Sequence, residues 1–475
     1  MSEPVCIIGA GSSGITAAQV LTARGVDVDV YEMGSGVGGN WRYGNDNGLS
    51  SAYRSLHINT SRQLMEYAAY PMPADLPDYP SHWQIARYFD DFVDHFGLRD
   101  RIRFRTEVVK VEPVAEFAYD VTVRSRNEHG ESSEPETRRY SHVVVANGHH
   151  WDPRWPEPSF PGAEDFPGTQ IHAHYYKTPE VFEGKRVLVL GIGNSATDIA
   201  VEASLVAERT YLAMRRGAHI VPKFVFGVPT DHLTDGPIAR MPTVVQQTTM
   251  AALLRVTQGR ITDYGLPRPD HRVLHAHPTV SDDLLTRLGH GDLTVLPNID
   301  RFEGSKVFFV DGSAHEVDVV VYCTGYKVSF PFLDERVVRA ADNHVDLYRR
   351  VVDPDHHGLY FVGLIQPIGA IMPLAEAQSH WVADLVTGAA ALPSYDEMRR
   401  QIRQYDEAIR ARFVASKRHT IEVDFAKYRS EITRERRAGR ARVTARTTGR
   451  TTGRTTGQPA TVAGRLRSFG RARRR

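Results

Sequence analysis

Two glycine-rich loops, each followed about twenty residues later by a charged side chain, have the residue types and spacing to bind a ligand. The first loop, Gly9-Ala10-Gly11-Ser12-Ser13-Gly14, leads to Glu32. The second, Gly191-Ile192-Gly193-Asn194-Ser195-Ala196, leads to Arg215 and Arg216. Glycines at this spacing let the backbone turn beside a pyrophosphate, whose charge meets the N-terminus of the following helix. Both loops are therefore predicted to bind dinucleotides.

The charged residues predict which dinucleotide each loop binds. Glu32 can accept hydrogen bonds from both hydroxyls of an adenosine ribose and repels a 2′-phosphate, whereas Arg215 and Arg216 attract one. We therefore expect FAD at the first loop and NADPH, later NADP⁺, at the second. The alternative for the arginine pair is a solvent-exposed basic turn.

Apolar segments around each loop predict the elements that position it. Val5 to Ile8 is typical of a buried strand, Ser12 to Arg24 of a helix, and Val26 to Tyr31 of a second strand that ends beside Glu32. The second loop has the same surroundings, with a strand from Arg186 to Leu190 and a helix from Ser195 to about Val206. This pattern predicts an α/β fold with two Rossmann-like, three-layer domains.

The order of these segments predicts that one domain is inserted into the other, in a glutathione-reductase-like arrangement. Residues 1–160 and 330–430 are expected to form the FAD-binding domain, and residues 165–325 the NADP-binding domain. An insertion at about 221–297, rich in proline and histidine, is expected to interrupt the second domain.

A net charge of +1 over 475 residues conceals a basic C-terminus. Residues 434–475 contain fourteen arginines and a single acid, Glu435. This segment has too few apolar side chains to offset the entropy of ordering, so we expect a disordered tail. It either contacts an anionic surface weakly or is an inert solubilising extension, and no specific nucleic-acid partner is predicted.

Cys6 and Cys323 are the two cysteines, and both lie in apolar strand sequence without a C-x-x-C spacing. This usage is typical of a reducing compartment. With no export signal and no transmembrane span in the sequence, a cytoplasmic location is expected. A disulfide reductase needs a dithiol beside its flavin, which this spacing does not supply. The oligomeric state stays open, a homodimer included.

The segment Phe166 to Lys177 fits the pattern F-x-G-x-x-x-H-x-x-x-Y-K, and by it the sequence resembles the flavin-containing monooxygenases. The resemblance runs from about Val5 to Tyr428 and includes the segments GIGNSATDIA, RRGAHI, HPTVSDDL, GLIQPIGAIMP and SKRHTI. The similar Baeyer–Villiger monooxygenases usually carry tryptophan at the position of Tyr176. Metal binding by His172 and His174 is not expected, because the pair lacks a third ligand at suitable spacing.

The resemblance implies an enzyme that uses NADPH and O₂ to form a C4a-hydroperoxide of FAD and transfers one oxygen to soft nitrogen or sulfur. Its substrates would be small amines or sulfides. Two alternatives are kept: a Baeyer–Villiger monooxygenase acting on ketones, and an NADPH–flavin reductase that passes electrons to a protein partner.

The resemblance also implies which residues form the site. Asn59 matches the family asparagine that contacts both flavin and nicotinamide, and is the expected catalytic residue. The expected cofactor-binding residues are Gly9, Gly11, Ser13, Gly14, Glu32, Gly39, Asn40, Trp41, Asn59, Thr60, Gly191, Gly193, Asn194, Ser195, Ala196, Arg215, Arg216 and Gln366.

Overall fold

Two five-stranded parallel sheets organise the computed structural model, which describes residues 3–235, 241–273, 275, 278–412 and 420–452. In spatial order, the first sheet contains Leu359–Phe361, Val143–Val145, Val5–Ile8, Val28–Tyr31 and Ile102–Arg103. The second contains Leu293–Leu296, Arg209–Ala213, Arg186–Leu190, Val319–Tyr322 and Thr169–His172. All five strands of the second sheet lie between Val145 and Leu359 in the chain, so one Rossmann-like domain is inserted into the other. The predicted fold class is confirmed.

Alternating side chains on the first strand face two different cores. Val5 and Ile7 pack against the helices on one side, whereas Cys6 and Ile8 pack towards an antiparallel sheet on the other. The helices are Ser12–Thr22, His82–His95 and Met372–Val386, and the antiparallel strands are Thr106–Ala115, Ala118–Ser125 and Glu136–Tyr140. Burial on both faces explains why the strand reads as a continuous apolar run.

The second sheet repeats this arrangement. Val187 and Val189 pack with helix Asn194–Val206, whereas Leu188 and Leu190 face Phe302 and its antiparallel sheet. That sheet is formed by Ile299–Glu303, Lys306–Phe309 and Ala314–Glu316. Each domain therefore has three layers: helices, a parallel sheet and an antiparallel sheet.

The insertion is helical and shorter than the prediction of 221–297, because Leu293–Leu296 is an edge strand of the second sheet. Its helices are Thr230–Asp235, Thr243–Gln258 and Leu284–His290. Short strand pairs connect it to the body: Ile220–Val221 with Thr279–Val280, and Phe224–Val225 with Val228–Pro229.

The prediction of a disordered tail from Arg434 is wrong for residues 434–452, which continue the helix Phe425–Thr452. Arg436 and Arg440 of this helix lie 2.9 and 3.0 Å from the carboxylate of Asp384, which is fully buried and also bound by Arg24. The contacts with this buried charge, together with the burial of Ile432, offset the conformational entropy that is lost when the segment becomes ordered. Residues 453–475 of the predicted tail lie outside the described residues.

Besides short 3-10 helices, the remaining described elements are two α-helices and two strand pairs. They are helices Arg62–Met65 and Tyr395–Arg412, the pair Asp152–Pro153 with Tyr326–Lys327, and the pair Gln366–Ile368 with Glu422–Asp424. Within the described part of the chain, no helix is both long enough and apolar enough to span a membrane.

Candidate cofactor and active site

The first glycine loop lies at the carboxyl end of its sheet, where backbone groups approach too closely for side chains. Gly9 has φ +99°, and a Cβ there would lie 2.8 Å from the carbonyl oxygen of Ala146. A Cβ on Gly14 would lie 1.8 Å from the carbonyl oxygen of Gly9, so helix Ser12–Thr22 could not pack on the strand. A side chain at either position would clash with the main chain, so the loop requires glycine at both.

A second glycine segment faces the first across a narrow gap. A Cβ on Gly39 would lie 3.2 Å from the Cα of Gly11. The two segments are joined by a main-chain hydrogen bond, which Gly38 N–H donates to Ala10 O at 3.0 Å. Two bare backbones at the N-terminus of a helix make a cradle of the kind that admits a pyrophosphate. The residues present therefore fit the dinucleotide expected here.

The residues after Gly39 extend this cradle towards the core. Asn40 Oδ1 accepts the main-chain N–H of Ser51 at 2.8 Å, and Trp41 packs against the apolar core beneath the helices. On the opposite side, Gly363 reaches Ser13 so closely that a Cβ would lie 2.0 Å from its Oγ. The end of strand Leu359–Phe361 thus closes the loop from the other flank.

Glu32 is buried at the end of the strand Val28–Tyr31 and is held by main-chain donors. Its Oε2 accepts the N–H of Ala10 and its Oε1 that of Gly34, each at 2.7 Å. Burial raises the pKa of Glu32, and these donors oppose the rise. Asn47 Nδ2 also donates to Oε1, at 3.4 Å, so Oε2 is the oxygen that keeps a lone pair for a ribose hydroxyl.

The second glycine loop repeats the close approach. Gly191 has φ +139°, and a Cβ there would lie 2.8 Å from the carbonyl oxygen of Cys323. Helix Asn194–Val206 begins two residues after Ile192, with Gly193 before it and Ser195 and Ala196 in its first turn. The small Ala196 is fully buried against the sheet.

Two hydrogen bonds join the insertion to the second glycine loop. Thr279 Oγ1 donates to the carbonyl oxygen of Ile192 at 2.6 Å, and the Oδ1 of Asn194 accepts the N–H of Val280 at 2.8 Å. The side chain of Asn194 therefore fixes the insertion strand.

Arg215 and Arg216 are exposed at the end of strand Arg209–Ala213. Arg216 Nε lies 3.6 Å from Asp270 Oδ2, whereas Arg215 forms no ion pair within the described residues. The two arginines consequently differ: one is partly neutralised, and the other offers its full charge beside the second glycine loop.

The loop that carries Asn59 and Thr60 is fixed at both ends. Ile58 N–H donates to Pro80 O at 3.0 Å, and Ser61 N–H donates to Asp231 Oδ2 at 2.5 Å. Asn59 is half-buried and Thr60 is buried. Since Asp231 belongs to helix Thr230–Asp235, the insertion reaches across to the first domain at this loop.

The segment from Phe166 to Lys177 joins the two domains. Lys177 Nζ donates to the carbonyl oxygens of Ser50 and Ala52 at 2.7 and 3.0 Å, in the loop of the first domain. His174 Nδ1 lies 2.8 Å from Ser51 Oγ, so this histidine serves the same junction. His172 precedes it, and its Nδ1 accepts the N–H of His174 at 3.1 Å.

Gln366 lies just before helix Met372–Val386 and is half-buried. Its N–H donates to Ile421 O at 2.8 Å, which sets the start of the strand pair with Glu422–Asp424.

Two acids of this region were not predicted from the sequence. Asp231 is one, and the other is Asp198, which accepts a hydrogen bond from the hydroxyl of Tyr53 across the domain junction. Burial raises the pKa of Asp198 to about 6, with the Tyr53 hydrogen bond opposing the rise. An available signal was that Asp198 stands among the apolar positions of helix Asn194–Val206, where a carboxylate needs a partner.

Comparison with known proteins agrees with this geometry. The family model of flavin-binding monooxygenase-like proteins matches residues 2–439. Flavin-containing monooxygenase 5 of Oryctolagus cuniculus is 36% identical over 441 residues, which cover 90% of this chain and 81% of the relative. Dimethylaniline monooxygenase (N-oxide-forming) 2 of the same species is 33% identical over 449 residues, covering 92% and 83%.

Among solved structures, the S-allyl-L-cysteine S-oxygenase of Allium sativum is similar, with a TM-score of 0.67 and 25% identity over 95% of this chain and 94% of that one. Sequence and fold thus agree along nearly the whole chain. The chain therefore belongs to the flavin-binding monooxygenase-like family, and it is an FAD- and NADPH-dependent monooxygenase.

Proposed function

We propose that this monooxygenase oxygenates soft nitrogen or sulfur atoms of small molecules, consuming one NADPH, one proton and one O₂ and releasing one NADP⁺ and one water per turnover. The observation that carries the proposal is the opposite charge at the ends of the two glycine loops. The carboxyl group of Glu32 lies buried at the first, and the guanidinium of Arg215 is exposed at the second. This difference supports two different dinucleotides in one chain.

The residues proposed to hold the cofactors follow from the two cradles. Gly9, Gly11, Ser13, Gly14, Glu32, Gly39, Asn40, Trp41, Thr60 and Gln366 are assigned to FAD. Gly191, Gly193, Asn194, Ser195, Ala196, Arg215 and Arg216 are assigned to NADPH and, after reduction, to NADP⁺. When bound, FAD would supply the redox chemistry, which is to accept two electrons from NADPH and to activate O₂.

The chain's own contribution is to orient the cofactors and to keep water away. Asn59, proposed to contact both, carries a neutral amide that donates and accepts hydrogen bonds without releasing a proton. The Asp231–Ser61 bond and the Lys177 contacts hold the loops on which this asparagine depends. A soft nucleophile needs little activation, so a general acid–base pair is not required of the protein.

The substrate class is supported by the names of two relatives and by Tyr176. One relative forms N-oxides of dimethylaniline and a structural relative oxygenates sulfur in S-allyl-L-cysteine. Tyr176 stands where Baeyer–Villiger enzymes usually carry tryptophan; its hydroxyl binds Glu202 and its ring stacks on Phe182. A tryptophan at this position would lose the bond to Glu202.

The deciding experiment compares thioanisole, N,N-dimethylaniline and cyclohexanone with the purified FAD-loaded enzyme. Sulfoxide or N-oxide should form in step with NADPH and O₂ consumption, faster than lactone from the ketone. Lactone alone would contradict the proposal in favour of Baeyer–Villiger chemistry. NADPH oxidation without O₂, in the presence of an acceptor protein, would favour a reductase.

A cytoplasmic location and a weak contact with anionic surfaces remain proposals. The first is supported by the free thiols Cys6 and Cys323, whose pKa values burial raises. The second is supported by exposed arginines on the C-terminal helix, among them Arg434 and Arg437. Cell fractionation tests the first. Sedimentation with anionic vesicles at low and high salt tests the second, since a charge contact must weaken with salt.

A further inference from the structure

A groove of about 830 Å³ lies among three segments of the chain, and none of the residues assigned to the cofactors lines it. The hairpin turn Glu116–Phe117 forms one side, and residues 388–393 another. Val443 and Arg446 of the C-terminal helix form the third. The volume is within the range of small-molecule sites, which span roughly 300–1,000 Å³.

The groove is apolar in its depth and aromatic at its walls. Tyr360 and Met398 are buried beneath it, with Leu392 beside them. Phe117 and Tyr395 flank it with 45% and 49% of their surface exposed. Large apolar side chains left facing water around one depression mark a binding surface.

Phe117 occupies a backbone conformation that favours glycine. Its φ of +52° lies in the left-handed region, which is strained for a residue that carries a side chain. Glycine would adopt this conformation more easily, and the phenyl ring that stands here instead lies against the groove.

The charged groups at the rim differ in their partners. The His357 ring and the Glu116 carboxylate pair with each other at 2.8 Å, and the Tyr395 hydroxyl donates to Asp355 at 2.9 Å. Arg446, by contrast, is exposed and forms no ion pair within residues that the structure describes. The groove therefore combines an apolar interior with the positive charge of Arg446 on one wall, while the exposed Glu116 carboxylate, whose partner His357 is neutral unless protonated, lies on another wall.

We propose that this groove binds a free single-chain amphipathic carboxylate, of the size of a twelve-carbon fatty acid. The hydrocarbon chain lies between Phe117 and Tyr395, and the carboxylate meets the guanidinium of Arg446. Because three segments surround the groove, it accepts one free chain rather than the face of a bilayer. The site is separate from the oxygenation site, and its occupation does not depend on the substrate proposed there.

The test is equilibrium dialysis of radiolabelled dodecanoate against the full-length, FAD-loaded protein. Arg446→Gln should weaken dodecanoate binding about fivefold and leave dodecanol binding unchanged, because the alcohol lacks the charge. Phe117→Ala should weaken both ligands. The matched control is Arg437→Gln, since Arg437 is exposed on the same helix but does not line the groove.

Retention of bound FAD in each variant shows that the protein is folded. Lack of saturable dodecanoate binding up to 1 mM would overturn the proposal. An equal loss in Arg437→Gln and Arg446→Gln would overturn it too, since the binding would then be diffuse attraction to a basic helix. Co-sedimentation of the protein with phosphatidylglycerol vesicles that is lost in Arg446→Gln but kept in Arg437→Gln would assign the groove to a membrane instead.

Discussion

The carboxylate of Asp231 accepts the main-chain N–H of Ser61 at 2.5 Å, two residues after Asn59. An acid of the insertion thereby fixes the loop of the first domain that is proposed to face both cofactors. The insertion therefore helps to fix the position of a residue in the other domain.

Asp231→Ala should leave FAD bound but uncouple NADPH consumption from product formation. A lost charge-assisted hydrogen bond of about 1.5–3 kcal/mol lets the Asn59 loop move, and we expect coupled oxygenation to fall roughly tenfold. Hydrogen peroxide release per NADPH measures the change. Asp231→Asn, which keeps an acceptor oxygen, should lose less, and Asp263→Asn on the exposed surface of the insertion is the control. Unchanged coupling in Asp231→Ala would contradict the prediction.

Asn59→Leu should abolish coupled oxygenation while the FAD content stays that of the wild type. Leucine has a similar volume, but it lacks the amide that is proposed to contact flavin and nicotinamide. Sulfoxide yield per NADPH is the measurement, with His57→Gln as the control because His57 is exposed two residues earlier. Retained sulfoxidation would exclude Asn59 from the site.

Arg215→Gln should reduce the preference for NADPH over NADH by about one to two orders of magnitude, as expected from the loss of 1.5–3 kcal/mol at a phosphate. The ratio of kcat/KM values for the two coenzymes measures this. Arg216→Gln should have a smaller effect, because Asp270 already lies 3.6 Å from Arg216. Equal effects would show that the Asp270 contact does not reduce the charge available to NADPH.

Asp384→Asn should lower the free energy of unfolding by about 3 kcal/mol, because it removes the buried carboxylate that pairs with Arg24, Arg436 and Arg440. Burial alone would raise the pKa of Asp384, but the arginines outweigh it and lower the pKa. Its stabilising contribution is therefore present above the unfolded pKa, near 3.9, and is lost as the pH falls below it.

Urea unfolding at pH 7 measures this change. Asp292→Asn is the control, because Asp292 pairs with Arg287 at the surface and should contribute less than about 1 kcal/mol. If both variants lose the same amount, the buried cluster does not anchor the C-terminal helix.

Asp198→Asn should flatten the pH dependence of stability between about pH 4 and pH 7. The folded pKa of Asp198, about 6, lies above its ordinary value of 3.8. Its contribution is therefore complete below the ordinary value and is lost as the pH rises through 6, by up to about 3 kcal/mol. Unfolding curves at pH 4.5 and 7.5 should differ less for the variant, and an unchanged difference would refute the assignment.

The sequence predicted the first glycine loop in detail because backbone constraints there are local. Helix Ser12–Thr22 begins at the predicted residue and ends two residues before the predicted Arg24. Gly9 and Gly14 are required by contacts with Ala146 and with each other, and the spacing alone implies such contacts. The strand ending beside Glu32 follows from a period-two pattern.

Contacts between distant segments were beyond local patterns. No local pattern indicates that Asp384 binds arginines 52 and 56 residues away, so the ordered part of the tail was not predicted. The Asp231–Ser61 bond joins residues 170 apart for the same reason. Both depend on tertiary packing, which overrides composition and propensity.

Strand Leu359–Phe361 completes the first sheet beside Val143–Val145, although the second sheet is encoded between them. During synthesis the first domain must wait for this strand, for roughly 10–40 s at ordinary elongation rates. The second domain, whose strands are contiguous in the chain, can complete its own sheet during that interval. We expect the nascent chain to acquire its NADPH site before it can retain FAD.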